Sequence, residues 1–68
     1  MEPVRIWVFL CYADGNCDFV LDKYLNSLHD AIVKAREWKG PYIVKILYED
    51  KEYMEYDGVQ DCYYLLER

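Results

Sequence analysis

Val4-Arg5-Ile6-Trp7-Val8-Phe9-Leu10-Cys11-Tyr12 is the most apolar run of the chain, and Arg5 is its only charge. β-branched and aromatic residues dominate it, which predicts a strand on a pleated, buried surface. It is too short to span a bilayer. Ile6, Val8 and Leu10 point to one side of such a strand, and Trp7, Phe9 and Cys11 to the other. Both sides are apolar, so both need cover.

The neighbouring segments supply cover for one side. Ala13-Asp14-Gly15-Asn16 has turn chemistry, and Phe19-Val20-Leu21-Asp22-Lys23-Tyr24 reads as the return strand of a β-hairpin. Ser27 is a good helix N-cap, with Asp30 three residues on and near the positive end of the helix dipole. Leu28, Ala31, Ile32, Ala35 and Trp38 then form one apolar stripe, and Gly40-Pro41 is a stop signal. The spacing predicts a helix over about Leu28 to Lys39. Tyr42 to Tyr48 is the next strand, with Tyr42, Val44, Ile46 and Tyr48 on one side and Ile43, Lys45 and Leu47 on the other. Glu49-Asp50-Lys51-Glu52 makes a charged turn, Tyr53-Met54-Glu55-Tyr56 returns antiparallel, and Asp57-Gly58 turns again. From Val59 onward the pattern fits either a helix (Val59, Cys62, Tyr63, Leu66) or a strand (Asp61 to Leu66). The adjacent tyrosines favour the strand.

These elements predict a single small α+β domain over residues 1–68. Its antiparallel sheet has four or five strands, ordered β-hairpin, helix, β-hairpin or meander, with one helix packed on one face. Ile6, Val8, Leu10, Val44 and Ile46 are the expected core, under the helix stripe; the sequence leaves open which strand side turns inward.

Composition narrows the function classes. A chain of 68 residues buries only about 60% of its unfolded surface. Hydrophobic residues make up 54% and aromatics 18%, including eight tyrosines, a residue that suits both small cores and protein interfaces. Thirteen acids against eight bases give a net charge of −5. That balance argues against direct nucleic-acid contact and against docking on an anionic membrane. Cys11, Cys17 and Cys62 are odd in number and lack a Cys-x-x-Cys spacing, so free thiols and a reducing compartment are expected. A three-residue hairpin loop would let Cys11 and Cys17 face each other, where oxidising solvent could join them by chance, but small buried or half-buried thiols are the expectation. Glu2 and Pro3 stand where a signal peptide would carry basic residues. The expected location is cytoplasmic, in the host cytoplasm if the protein is viral.

The candidate chemistry is sparse. His29 is the only histidine and lies on the helix flank; Ser27, two residues away, cannot meet it on a helix and already serves as a cap. His29 with the three cysteines matches no zinc module. Asp14-Gly15-Asn16-Cys17-Asp18 begins like a calcium loop, but Phe19 and Leu25 occupy the positions of its glycine and closing glutamate. No glycine-rich loop precedes the helix. The expectation is therefore no enzyme, no catalytic residue, no metal and no cofactor.

Charge patterning says more. From Glu49 to Asp61 six acids (Glu49, Asp50, Glu52, Glu55, Asp57, Asp61) face one Lys51. One reading is an edge hairpin kept soluble by charge. The other is an acidic, tyrosine-bearing face that docks on a basic groove, imitating a nucleic-acid backbone. The expected partner-binding residues are Trp7, Phe9, Tyr53, Glu55, Tyr56 and Asp57.

The layout of a β-hairpin, the helix Ser27-Leu28-His29-Asp30-Ala31-Ile32-Val33-Lys34-Ala35 and an antiparallel meander resembles the small proteins that phages carry against host defence, including some anti-CRISPR proteins. The resemblance lies in size, element order and the capped helix start, and it transfers no binding residue. It implies inhibition by occupying a site on a larger defence or nucleic-acid-handling complex, by steric occlusion or nucleic-acid mimicry. The expected function is thus a small acidic, non-enzymatic protein-binding module whose partner carries a basic surface. The alternative is a homodimeric structural or accessory protein closed by the Trp7/Phe9 face.

Overall fold

The structure, a computed structural model, describes residues 4–66. The elements are β1 (Val4–Cys11), β2 (Cys17–Leu25), α1 (Leu28–Ala35), β3 (Tyr42–Tyr48), β4 (Lys51–Asp57) and β5 (Cys62–Leu65). The strands form one sheet in the order β2-β1-β3-β4-β5, with every neighbouring pair antiparallel. The tail from Val59 therefore supplies a strand, the fifth of the sheet.

The chain order explains the topology. β1 and β2 are joined by a tight loop in which Gly15 takes φ +94° and Gly15 N–H donates to Tyr12 O at 3.0 Å. β3 pairs with the other edge of β1, so β2 and β3 run parallel with β1 between them. Parallel strands need a crossover connection, and α1 lies in it. Ser27 caps the helix as its sequence predicts: Asp30 N–H donates to Ser27 Oγ at 3.1 Å.

One side of the sheet holds the core. Val4, Ile6 and Val8 of β1, Val44 and Ile46 of β3 and Tyr56 of β4 form one buried cluster with Ala31 and Ala35 of α1. Leu21, Leu25, Leu28, Ile32, Trp38, Met54 and Tyr63 pack around it half-buried. The Tyr63 hydroxyl donates to the Ile32 carbonyl, tying β5 to the helix.

Three expectations are corrected. Leu10 is only half-buried, because its row, Asp18–Leu10–Tyr42, lies at the hairpin end of the sheet beyond the buried rows. The helix is shorter than its apolar stripe. Arg36, Glu37 and Trp38 N–H donate to the carbonyls three residues back (Val33, Lys34, Ala35), a tightened ending that precedes Gly40. Trp38 still reaches the core from this turn and meets Tyr42 edge-on at 5.2 Å. The third correction concerns Tyr56, which is fully buried. Alternation along β4 puts it opposite in sense to Glu55 and Asp57, so it belongs to the core and not to a partner-binding surface.

Two β-bulges set the faces. In β2 the register shifts between Val8 and Phe9 of its partner, leaving Val20 without an opposite residue. In β4 the shift between Ile46 and Leu47 leaves Tyr53 unmatched. Each bulge flips the side of every residue beyond it relative to simple alternation.

Candidate functional site

The side of the sheet away from the core is built in rows. Asp22, Trp7, Lys45, Glu55 and Tyr64 lie in one row across the strands. Phe19, Phe9, Ile43, Asp57 and Cys62 form the next. The face is thus graded, aromatic over β2 and β1 and acidic over β4. Residues directly paired on neighbouring strands lie about 5 Å apart, so Trp7 and Glu55 are separated by about 10 Å.

The aromatic end is held by stacking and charge. Phe9 and Phe19 meet edge-on with ring centroids 5.5 Å apart. The Arg5 guanidinium lies 5.4 Å from the Trp7 ring and 5.0 Å from the Tyr24 ring. It forks onto Asp22, with Nε to Oδ1 at 3.0 Å and Nη2 to Oδ2 at 2.7 Å, and Nη1 reaches Asp50 at 3.4 Å. The Arg5 bond holds the Asp22 carboxyl below the usual carboxylate range, and Asp22 in turn raises Arg5. This two-point contact fixes the arginine beside the rings. Leu47 is buried on this same side, flanked in register by Arg5 and Glu52.

Charges on the face are unevenly balanced. Both cations are spoken for, since Lys45 Nζ contacts Glu52 Oε1 at 3.2 Å and Arg5 holds Asp22. Glu55 has no side-chain hydrogen bond or ion pair among the described residues. Asp57 is on the face but serves its own turn: its Oδ1 accepts from Val59 N–H at 2.9 Å and Gln60 N–H at 3.4 Å. Asp61 lies outside these rows, where it accepts from Tyr56 Oη at 2.6 Å and sits 3.7 Å from Lys39 Nζ. The Tyr56 hydroxyl, then Lys39 and Arg36, lower the Asp61 carboxyl, while burial and Asp61 push Tyr56 up to about 12. The acidic stretch is therefore dispersed by the fold and partly neutralised.

Of the six expected binding residues, Trp7, Phe9, Glu55 and Asp57 come together on this face. Tyr56 does not, being buried. Tyr53 stands apart: its bulge carries it toward the core-side rim, where its ring lies 6.1 Å from Tyr48 and it shares a shallow groove with Val4, Ser27 and Leu28. Sequence reasoning misses Phe19 and Tyr24, which are 57% and 61% exposed. Counted by strict alternation they fall on opposite sides of β2, and only the extra residue at Val20 brings both to the aromatic end.

His29 is exposed and lines an open groove with Tyr24, Asn26 and Asp30. Among the described residues no three His, Cys, Asp or Glu side chains gather as a metal ion would require. No helix among them is long and apolar enough to cross a membrane. Comparison of the chain with protein-family models, with curated proteins and with solved structures finds no match.

Proposed function

We propose that this chain is a non-enzymatic protein-binding module that docks through the face bearing Trp7, Phe9 and Glu55. The observation that supports it is the missing second layer: the helix contributes to the buried cluster on the core side, while Trp7, Phe9, Phe19 and Tyr24 stand on the other side with no element over them among the described residues. Trp7 and Phe9 are half-buried and Phe19 and Tyr24 exposed; a contiguous aromatic patch of this kind on a small domain marks a contact surface, and aromatic anchors carry most of the energy in such contacts. The face carries an unpaired Glu55 and no unpaired cation, within a chain of net charge −5. A partner with an apolar pocket rimmed by basic groups is its electrostatic complement.

The mode that fits is steric occlusion of a site on a larger assembly, as in the phage anti-defence proteins that the layout resembles, with action in the host cytoplasm. Mimicry of a nucleic-acid backbone is a weaker fit, because Asp50, Glu52, Asp57 and Asp61 are committed to partners within the chain. Association of two copies through the same rows is the competing outcome.

The experiment is a quantitative capture with the immobilised chain, the captured protein being retitrated as a pure species. Trp7→Ala is expected to weaken its binding by about 2 kcal/mol or more, as for a central aromatic anchor. Glu55→Gln, which breaks no hydrogen bond or ion pair among the described residues and avoids setting a second cation opposite Lys45, is expected to weaken it further at low salt and to flatten its salt dependence. Equal affinity for both variants and the wild type overturns the reading. So does a concentration-dependent dimer in sedimentation that Trp7→Ala abolishes.

A further inference from the structure

Cys11 and Cys17 close the β1–β2 hairpin as directly opposed partners. The hydrogen bonds identify the kind of pair they form. Cys11 N–H donates away from β2, to Pro41 O at 2.7 Å, while the next rung toward the loop is bonded, Tyr12 N–H to Asn16 O at 2.8 Å. Cys11 and Cys17 therefore form a non-hydrogen-bonded pair. In such pairs the Cα atoms approach to about 4.5 Å and the side chains stand closest. A disulfide needs Cα atoms about 4.4–6.8 Å apart with Cβ vectors on the same side, and directly opposed residues of an antiparallel pair meet both conditions. Cys17 is exposed and Cys11 half-buried, and burial, then the neighbouring Cys17, push the Cys11 thiol up to about 11, which makes its loss of a proton the slow step and favours alkaline solution. Cys62 is in β5, at the far edge of the sheet.

We infer that Cys11 and Cys17 are a reversible modification site, which a small-molecule disulfide of the glutathione type converts to an intramolecular cross-link. The exposed Cys17 loses its proton and attacks one sulfur of that disulfide. A mixed disulfide forms at Cys17, and one small thiol leaves with the proton. Cys11 then loses its proton and attacks the Cys17 sulfur, expelling the second small thiol. The protein gives up two hydrogen atoms, and the reagent is reduced to two thiols. Exposed disulfides are the more labile ones, and Cys17 is exposed, so dithiols reverse the step. The cross-link would sit beside the Phe9–Phe19 contact, at one end of the aromatic rows.

The test is incubation of the full folded chain with excess oxidised glutathione, acid quenching, alkylation in denaturant and intact mass measurement with peptide mapping. The expected product is monomeric, lighter by two hydrogen atoms, and alkylated only at Cys62. Cys62→Ser should oxidise at the wild-type rate, and Cys17→Ser should form no cross-link. Three alkylated cysteines, a glutathione adduct that persists on Cys17, a cross-link through Cys62 or a covalent dimer would each overturn it.

Discussion

Gly58 offers the sharpest test of how the sheet end is closed. A Cβ placed there would lie 2.4 Å from Trp38 O and 2.8 Å from both Gly40 O and Tyr42 O. Two carbonyls of the helix-to-β3 connection and that of Tyr42, the first residue of β3, thus converge on one hydrogen. Gly58 N–H donates to Tyr42 O at 2.8 Å and Gly40 N–H to Gly58 O at 3.0 Å, so the same residue stitches β4 to that connection. The obstacles are backbone atoms, which cannot rotate aside as a side-chain tip can. The Trp38 carbonyl would have to retreat by roughly 1 Å to reach ordinary contact. Overpacking of this kind costs about 1–3 kcal/mol. Losing two hydrogen bonds adds about 1 kcal/mol each. Gly58→Ala is therefore expected to cost about 3–5 kcal/mol, against about 3–10 kcal/mol available to a chain of this length. Urea denaturation followed by circular dichroism measures it, and a fall in Tm of about 12 °C or more should accompany it. Gly15→Ala is the control: nothing lies within 4 Å of its Cβ, and its φ of +94° alone should cost about 1 kcal/mol. A loss below about 1 kcal/mol for Gly58→Ala would refute the reasoning.

Three further outcomes follow from named contacts. Tyr56→Phe should cost about 1–2 kcal/mol at neutral pH, from the hydroxyl lost to the Asp61 carboxylate. Because Tyr56 is pushed up to about 12, its own contribution to stability is complete below the tyrosine's unfolded value of about 10 and is lost as pH rises from there through 12. Tyr56→Phe should remove the share of that alkaline limb that belongs to Tyr56 and leave the shares of Cys11, Tyr12, Tyr63 and Tyr64, whose values are also raised, as denaturant titrations at a series of pH values would show. The depressed Asp61 has the opposite sense: its contribution is present above about pH 4 and is lost on acidification, and less should be lost in Tyr56→Phe. Glu49 and Asp50 take φ +53° and +65° in a two-residue β-hairpin turn, so Glu49→Asn with Asp50→Gly should stabilise by about 1 kcal/mol despite removing the exposed Asp50–Arg5 contact; no gain in urea midpoint would count against it. Ser27→Ala should cost about 1 kcal/mol, and Ser27→Asp should restore most of it in the same assay.

The residues differ in how openly they declare their places. β1, β3 and the helix start are legible because each rests on one local rule: an apolar β-branched run, strict alternation, and a cap followed by a 3.6-residue stripe. Tyr56 is legible too, since alternation alone sets it against Glu55 and Asp57; grouping it with them follows the charge pattern instead. Phe19, Tyr24 and Tyr53 are not legible, because a bulge is one extra residue whose position is chosen by the twist of the paired strand and not by its own chemistry. The early end of α1 is hidden for a similar reason. Trp38 continues the stripe in sequence, yet it reaches the core from a tightened turn that Gly40 allows, with φ +112°. The acidic run from Glu49 to Asp61 reads as one surface along the chain, but two turns scatter it over the sheet.

The position of β1 between β2 and β3 bears on how the polypeptide leaves the ribosome. The hairpin can zip early, but Val4–Cys11 acquires its second neighbour only when Tyr42–Tyr48 has been made. At about 5–20 residues per second that delay is on the order of seconds, during which the greasiest segment of the nascent chain shows an open flank. Chaperone dependence during expression should thus track this interval rather than the stability of the finished molecule.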